Sequence, residues 1–149
     1  MEPYQISWLE EPIQSDDFQG MARLAQTLET PLVAGEHLDS IVSFREMFEA
    51  RSVSIATIRV LHVGGFTQAK KIASMAEAFG LSVVNFHLPE LGIHLISAIP
   101  NGLTVEYTPW ALPLFKESPV LERGELIVPQ KPGLGLELDE DAIRLFEKE

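Results

Sequence analysis

Short apolar runs alternate with longer amphipathic stretches over the first two-thirds of the chain. The runs at 5–9, 31–34, 54–58, 82–86 and 103–106 are rich in Val, Ile and Leu and carry few charges, the pattern of strands covered on both faces. Helical periodicity fills the gaps. Phe18, Met21, Ala25 and Leu28 share one face, and Ile41, Phe44 and Phe48 share another behind Ser40, a good N-cap. Ala69, Ile72, Ala73, Ala76 and Phe79 form a third face closed by Gly80, and a shorter helix is expected over 93–98, stopped by Pro100. The repeat is roughly 20–27 residues, the size of a βα unit in a parallel sheet.

After Tyr107 the alternation stops. Residues 108–138 are rich in Pro and Gly and read as a loop with one short strand near 126–128; Asp139 then caps a last helix running to the chain end. Five strands joined by helices give an α/β fold: an open doubly wound sheet or part of a closed barrel. Gly64-Gly65 follows a strand and precedes a helix, but no Gly-rich phosphate loop is present, so nothing supports a dinucleotide fold.

Composition narrows the partners. A net charge of −11 over 149 residues repels phosphate backbones and anionic lipid, which argues against nucleic acid and membrane surfaces. There is no cysteine, hence no disulfide framework and no thiolate chemistry. No apolar run approaches the roughly 18 residues of a membrane helix. With no basic-then-apolar leader at Met1, the expected location is cytoplasmic.

Two acids occupy matching places. Glu10 closes the first apolar run and Glu36 the second, one βα unit apart. On neighbouring parallel strands about 4.8 Å apart, both can reach one cation, and Mg²⁺ takes such hard oxygen donors while keeping several waters. The alternative is a pair of ordinary loop acids. Strand alternation turns Glu11 away from that site, leaving it a supporting or structural role. Glu106 ends the fifth run and can face the same mouth. Of the four histidines, His37 adjoins Glu36, and His87 follows the fourth run as the best general-base candidate. His62 and His94 read as a loop residue and a helix residue. No serine sits in a nucleophile elbow.

Taken together, Trp8-Leu9-Glu10-Glu11-Pro12, Ala34-Gly35-Glu36-His37, His62-Val63-Gly64-Gly65-Phe66-Thr67, Ile99-Pro100-Asn101-Gly102 with Val105-Glu106-Tyr107, and Pro132-Gly133-Leu134-Gly135-Leu136 resemble the C-terminal barrel of the enolase superfamily. The branch they resemble is the mandelate racemase and muconate lactonizing group, especially its acid-sugar dehydratases. The resemblance runs in order through nearly the whole chain. It implies the C-terminal part of a (β/α)₇β TIM-like barrel as a single partial domain over 1–149. It also implies Mg²⁺ held by three carboxylates and a proton removed α to a sugar-acid carboxylate. Glu10 and Glu36 map onto two metal ligands, Glu106 onto the acid that contacts the substrate carboxylate, and His37 onto a substrate contact.

The chain departs from that pattern in three places. It begins at what would be the fourth strand, without the first metal ligand. Arg59 stands where many members carry the Asp that orients the catalytic His, and a guanidinium accepts no hydrogen bond. Phe86 stands where that His would be, with His87 one place later and so on the other face of a regular strand, unless a bulge restores it. Three readings follow. The first is an acid-sugar dehydratase or racemase remnant (lyase or isomerase), inactive alone. The second is half of a split or homo-oligomeric barrel completed by an N-terminal half or a second copy. The third is a non-catalytic binding or scaffold module using exposed strand edges or the 108–132 loop, with Trp110 and Phe115 as anchors.

Overall fold

The structure is a computed structural model and describes residues 4–147. Five parallel strands form one sheet in chain order: β1 (Leu9–Glu10), β2 (Leu32–Ala34), β3 (Ile55–Ile58), β4 (Ser82–Asn85) and β5 (Gly102–Val105). Helices α1 (Phe18–Thr27), α2 (Ile41–Glu49), α3 (Phe66–Ala78) and α4 (Pro89–Ser97) connect them. The sheet does not close: among the described residues β1 and β5 each pair with a single neighbour.

Helix starts follow local chemistry. The Asp17 carboxylate accepts from the Gly20 N–H at 2.7 Å, and Ser40 Oγ accepts from Ser43 N–H at 3.2 Å, satisfying donors that the first turn leaves without a partner. Gly80, at φ +74°, ends α3 in the left-handed conformation expected of a C-terminal glycine. The fourth helix begins earlier than periodicity suggests, because Pro89 fits its first turn and Glu90 follows as a first-turn acid.

The main core lies between the outer face of the sheet and the helices. Met21, Phe44, Phe48, Ile58, Ile72 and Leu95 are all at most 2% exposed. Each such side chain contributes roughly 1.5–3 kcal/mol relative to exposure. Phe44, Phe48 and Phe79 run as tilted neighbours with ring centroids 5.9 and 5.8 Å apart. On the inner face Val33, Ile55 and Val84 form a smaller apolar cluster against Trp8. Register explains the division, because Glu10 pairs with Val33, Val33 with Ile55, and Thr57 with Val84, so these side chains share the inner face.

Three expectations need correction. The first strand is not 5–9 but Leu9–Glu10, with Gln5 at φ +49°; an edge strand has one ladder to hold it, and only Leu9 and Glu11 donate across to Pro31 and Val33. The stretch 108–138 holds more than a loop with one short strand near 126–128. It carries a 3₁₀ turn at Leu112–Leu114 and an antiparallel hairpin, β6 (Val120–Glu122) with β7 (Glu125–Ile127). Arg123 (φ +52°) and Gly124 (φ +85°) form its two-residue turn, both with the positive φ that a type I′ hairpin requires. The last helix, α5, spans Glu140–Phe146 behind Asp139, which accepts from the N–H groups of Asp141 and Ala142; residues 148–149 of the expected helix lie outside the described residues. No helix among the described residues is long and apolar enough to cross a membrane.

Candidate active site

The C-terminal ends of the five strands gather the residues singled out by the sequence into two groups, an acidic one on β1, β2 and β5 and a basic, aromatic one on β3 and β4.

The acidic group begins at Glu10, which lines an inner cavity of about 290 Å³ together with Trp8, Thr57, Phe86, Thr104 and Glu106. Partial burial, then the charges of Glu36, Glu106 and Glu11, hold the Glu10 carboxyl above its ordinary value. Glu106 is raised likewise by partial burial and by Glu36, with His87 pulling the other way. Glu36 thus pushes both Glu10 and Glu106 up, and carboxylates crowded in this manner form the electrostatic environment that a divalent cation relieves.

Glu11 does not turn away. At φ +37° the backbone leaves the strand conformation at Glu11, so the expected alternation ends there. Its Oε1 accepts from Gly35 N–H at 3.3 Å, and its Oε2 lies 3.5 Å from His37 Nε2. The same imidazole nitrogen is 3.0 Å from Glu36 Oε1. One donor atom each of Glu11, Glu36 and His37 lies within 4.8 Å of the others, a spacing that fits one metal ion. That tight trio contains Glu36 but not Glu10. Glu10 joins the group through its charge and the shared mouth rather than through this contact.

Gly35 makes the trio possible. Its φ is +127°, and a Cβ there would stand 2.6 Å from the Thr57 carbonyl oxygen. Only glycine lets β2 end this close to β3 while turning Glu36 into the mouth.

On the other side, the Arg59 guanidinium sits over the Phe86 ring, 5.5 Å from its centroid, and donates to the Glu36 carbonyl at 3.4 Å. Phe86 faces the inner cavity with Glu10 and Glu106. His87 does not. The irregularity on this strand pair lies between Val83 and Val84, upstream of the histidine, and so does not exchange Phe86 for His87. His87 (φ +65°) and Leu88 (φ +53°) are consecutive left-handed residues that send the chain into α4. The His87 ring stacks at 5.1 Å on Phe86 and meets Trp110 edge-on at 5.0 Å. With Arg59, His62, Phe86, Leu88 and Leu91 it lines a second cavity of about 290 Å³. Phe86 lines both cavities.

His62 is exposed on the turn before α3, and His94 is tied to Leu134, its Nε2 2.9 Å from that carbonyl oxygen. Sequence reasoning passed over Glu90. It is 1% exposed, and neither carboxylate oxygen has a well-aligned hydrogen-bond partner. Burial raises its carboxyl, offset in part by its own backbone N–H and by His87. The signal was the Pro89-Glu90 pair, a helix-start signature.

A family model described as "Enolase C-terminal domain-like" matches residues 1–142. A putative L-rhamnonate dehydratase of Caldivirga maquilingensis is 33% identical over 96% of this chain and 39% of its own length. The L-talarate/galactarate dehydratase of Salmonella typhimurium is 31% identical over 97% of this chain and 36% of its own. Among solved structures, L-talarate dehydratase from Polaromonas sp. JS666, complexed with Mg and L-glucarate, superposes with a TM-score of 0.92 at 36% identity, over 96% of this chain and 40% of that one. The chain thus spans about two-fifths of the length of the relatives it matches.

Proposed function

The chain belongs to the enolase C-terminal domain-like family, and from that premise we propose that it carries the metal-holding side of an acid-sugar dehydratase mouth without the acid–base pair on the opposite side. The observation that carries this reading is the Arg59–Phe86 stack. Phe86, not an imidazole, faces Glu10 and Glu106 across the inner cavity. A phenyl ring moves no proton, and a guanidinium stays charged at any working pH.

The donor set suits Mg²⁺. Glu10 and Glu36 are hard oxygen ligands, Glu11 and His37 brace Glu36, and the mutual repulsion that raises Glu10 is what a bound cation would offset. Bound there, Mg²⁺ would supply electrostatic stabilisation of negative charge developing on a substrate carboxylate. Glu106 and His37 are positioned to orient a sugar acid beside it. His87 lies against the Phe86 ring and is not among the residues lining the inner cavity with Glu10. We therefore assign it no proton transfer at that site.

Isothermal titration of Mg²⁺ into the purified chain tests the assignment. Saturable binding weakened at least tenfold by Glu36→Gln, with no dehydration of galactarate by the chain in either form, is the expected result. Binding indifferent to Glu36→Gln, or turnover of galactarate, overturns it.

The two single-neighbour edges, β1 and β5, support a second reading of the same residues, in which an N-terminal complement or a second copy closes the barrel. Light scattering on the Mg²⁺-saturated chain reads this out: a defined dimer supports closure by a second copy, and a monomer rules that copy out.

A further inference from the structure

The second cavity has a character opposite to the rest of the molecule. In a chain of net charge −11, it brings together Arg59, His62 and His87, with no acid among its lining residues. Its remaining wall is apolar, built from Phe86, Leu88 and Leu91 among others. Arg59 is half-buried, and no carboxylate among the described residues comes within ion-pair distance of it. Its one hydrogen bond, to the Glu36 carbonyl at 3.4 Å, leaves most of its five donors uncommitted. The Phe86 ring lies against the guanidinium, and both residues line the cavity.

A planar fork of N–H donors is the partner of a carboxylate or phosphate, and flanking imidazoles add donors for the oxygens left over. A cavity of about 290 Å³ holds a small molecule rather than a polymer. Its apolar side favours a ligand whose body is hydrocarbon over one covered with hydroxyls, since buried hydroxyls need partners that leucine and phenylalanine lack.

We propose that this cavity is an oxyanion-binding site, separate from the carboxylate group at Glu10 and Glu36, that seats a small organic carboxylate head-on at Arg59 with its apolar body against Phe86, Leu88 and Leu91. The site does not depend on metal, so it stands or falls independently of the Mg²⁺ assignment.

The test is equilibrium binding of phenylacetate to the full chain in EDTA, followed by ligand-observed NMR and titration calorimetry, with inorganic phosphate and galactarate as competing probes. The expected result is saturable phenylacetate binding that is weakened at least tenfold by Arg59→Gln and partly retained by Arg59→Lys. A tenfold loss is the lower end of what removing a charged hydrogen-bond donor costs. Circular dichroism and melting of each variant separate loss of the site from loss of the fold. If Arg59→Gln does not fold, Leu91→Glu, which places a negative charge on the apolar wall, must abolish binding instead. Binding of phosphate or galactarate alone, no binding, or binding insensitive to both variants overturns the proposal.

Discussion

At the acidic wall of the mouth Glu11, Glu36 and His37 are each held by a neighbour. Glu11 is tied to Gly35, Glu36 to His37, and the Gly35 backbone presses against Thr57 with no room for a methyl group. Across the mouth Arg59 has one long hydrogen bond and a ring beneath it, and two consecutive left-handed residues carry the chain from β4 into α4. The loop before α3 is equally open: a Cβ on Gly65 would meet nothing within 4 Å. One wall is specified by mutual contact, the other by little beyond a stack. The charges match this contrast: the acids crowd one another and call for a cation, whereas the guanidinium has no acid partner among the described residues and calls for an anion. On the proposed reading, the metal side of the mouth is kept and its acid–base side carries different chemistry.

The sharpest way to break this contrast is to add one carbon at each wall. Gly35→Ala puts a Cβ 2.6 Å from a backbone oxygen at φ +127°. Strain and displacement together are expected to cost about 2–4 kcal/mol, a fall in Tm of roughly 5–15 °C, and to weaken Mg²⁺ binding by moving Glu36. Gly65→Ala, at φ +94° and ψ −177° in open space, meets no clash, only the backbone strain of a region that glycine almost alone enters, about 1–3 kcal/mol, and leaves the metal affinity alone. Thermal melting and Mg²⁺ titration of the two variants side by side check this. Equal losses would mean that the acidic wall is no more tightly specified than the other.

The second prediction exchanges one wall's chemistry and reads the other. The double variant Arg59→Asp, Phe86→His replaces the cation–ring stack by the acid–imidazole pair that the family resemblance leads one to expect at these positions. Oxyanion binding in the second cavity should be lost by more than tenfold, since the guanidinium is gone and a carboxylate stands in its place. Mg²⁺ affinity should stay within about threefold, because neither position belongs to the Glu11–Glu36–His37 trio and Arg59 reaches only the backbone carbonyl of Glu36. Parallel titrations with phenylacetate and Mg²⁺ give both numbers, and a metal affinity that moves as far as the anion affinity would show the walls to be one site.

How much of this was legible in the sequence depends on how many neighbours each element has. Ile55–Ile58 is buried at all four residues between two partners, and its run of β-branched residues announced it. The edge strand β1 was mis-bounded because its apolar residues before Leu9 have no second ladder to hold them extended. The carboxylates were found by position, at the ends of apolar runs, which is where parallel strands present their chemistry. The turn of Glu11 was not, since it depends on a positive φ before Pro12, a residue that ordinarily favours extended backbone in its predecessor. The hairpin was hidden by the Pro and Gly content around it, although Arg123-Gly124 carried a turn signal. The Arg59–Phe86 contact was invisible as a contact: each residue was noticed only as a departure, and their pairing requires β3 and β4 side by side.

The smallest expected effect concerns Glu90, an acid that belongs to neither wall but lies beneath the basic one. Its carboxylate is 1% exposed and lacks a well-aligned hydrogen-bond partner, and burial raises its carboxyl above the ordinary 4.5. The native state therefore holds this proton more tightly than the unfolded chain does. By linkage, the stability that this group contributes is fully present below the unfolded value and is lost as pH rises through the higher folded value. Glu90→Gln keeps the shape and removes the titration. The variant should match the parent chain near pH 4.5 and melt about 2–4 °C higher at pH 8, where the parent carries a buried negative charge. Melting curves of both proteins at several pH values between these limits isolate the effect from the general repulsion of an acidic chain, which the two share almost entirely. A Tm difference independent of pH would show that Glu90 is already ionised and accommodated, its charge met by His87. In that case the basic wall would have one acid beneath it after all, and the contrast between the walls would be less complete than the ion pairs at the surface suggest.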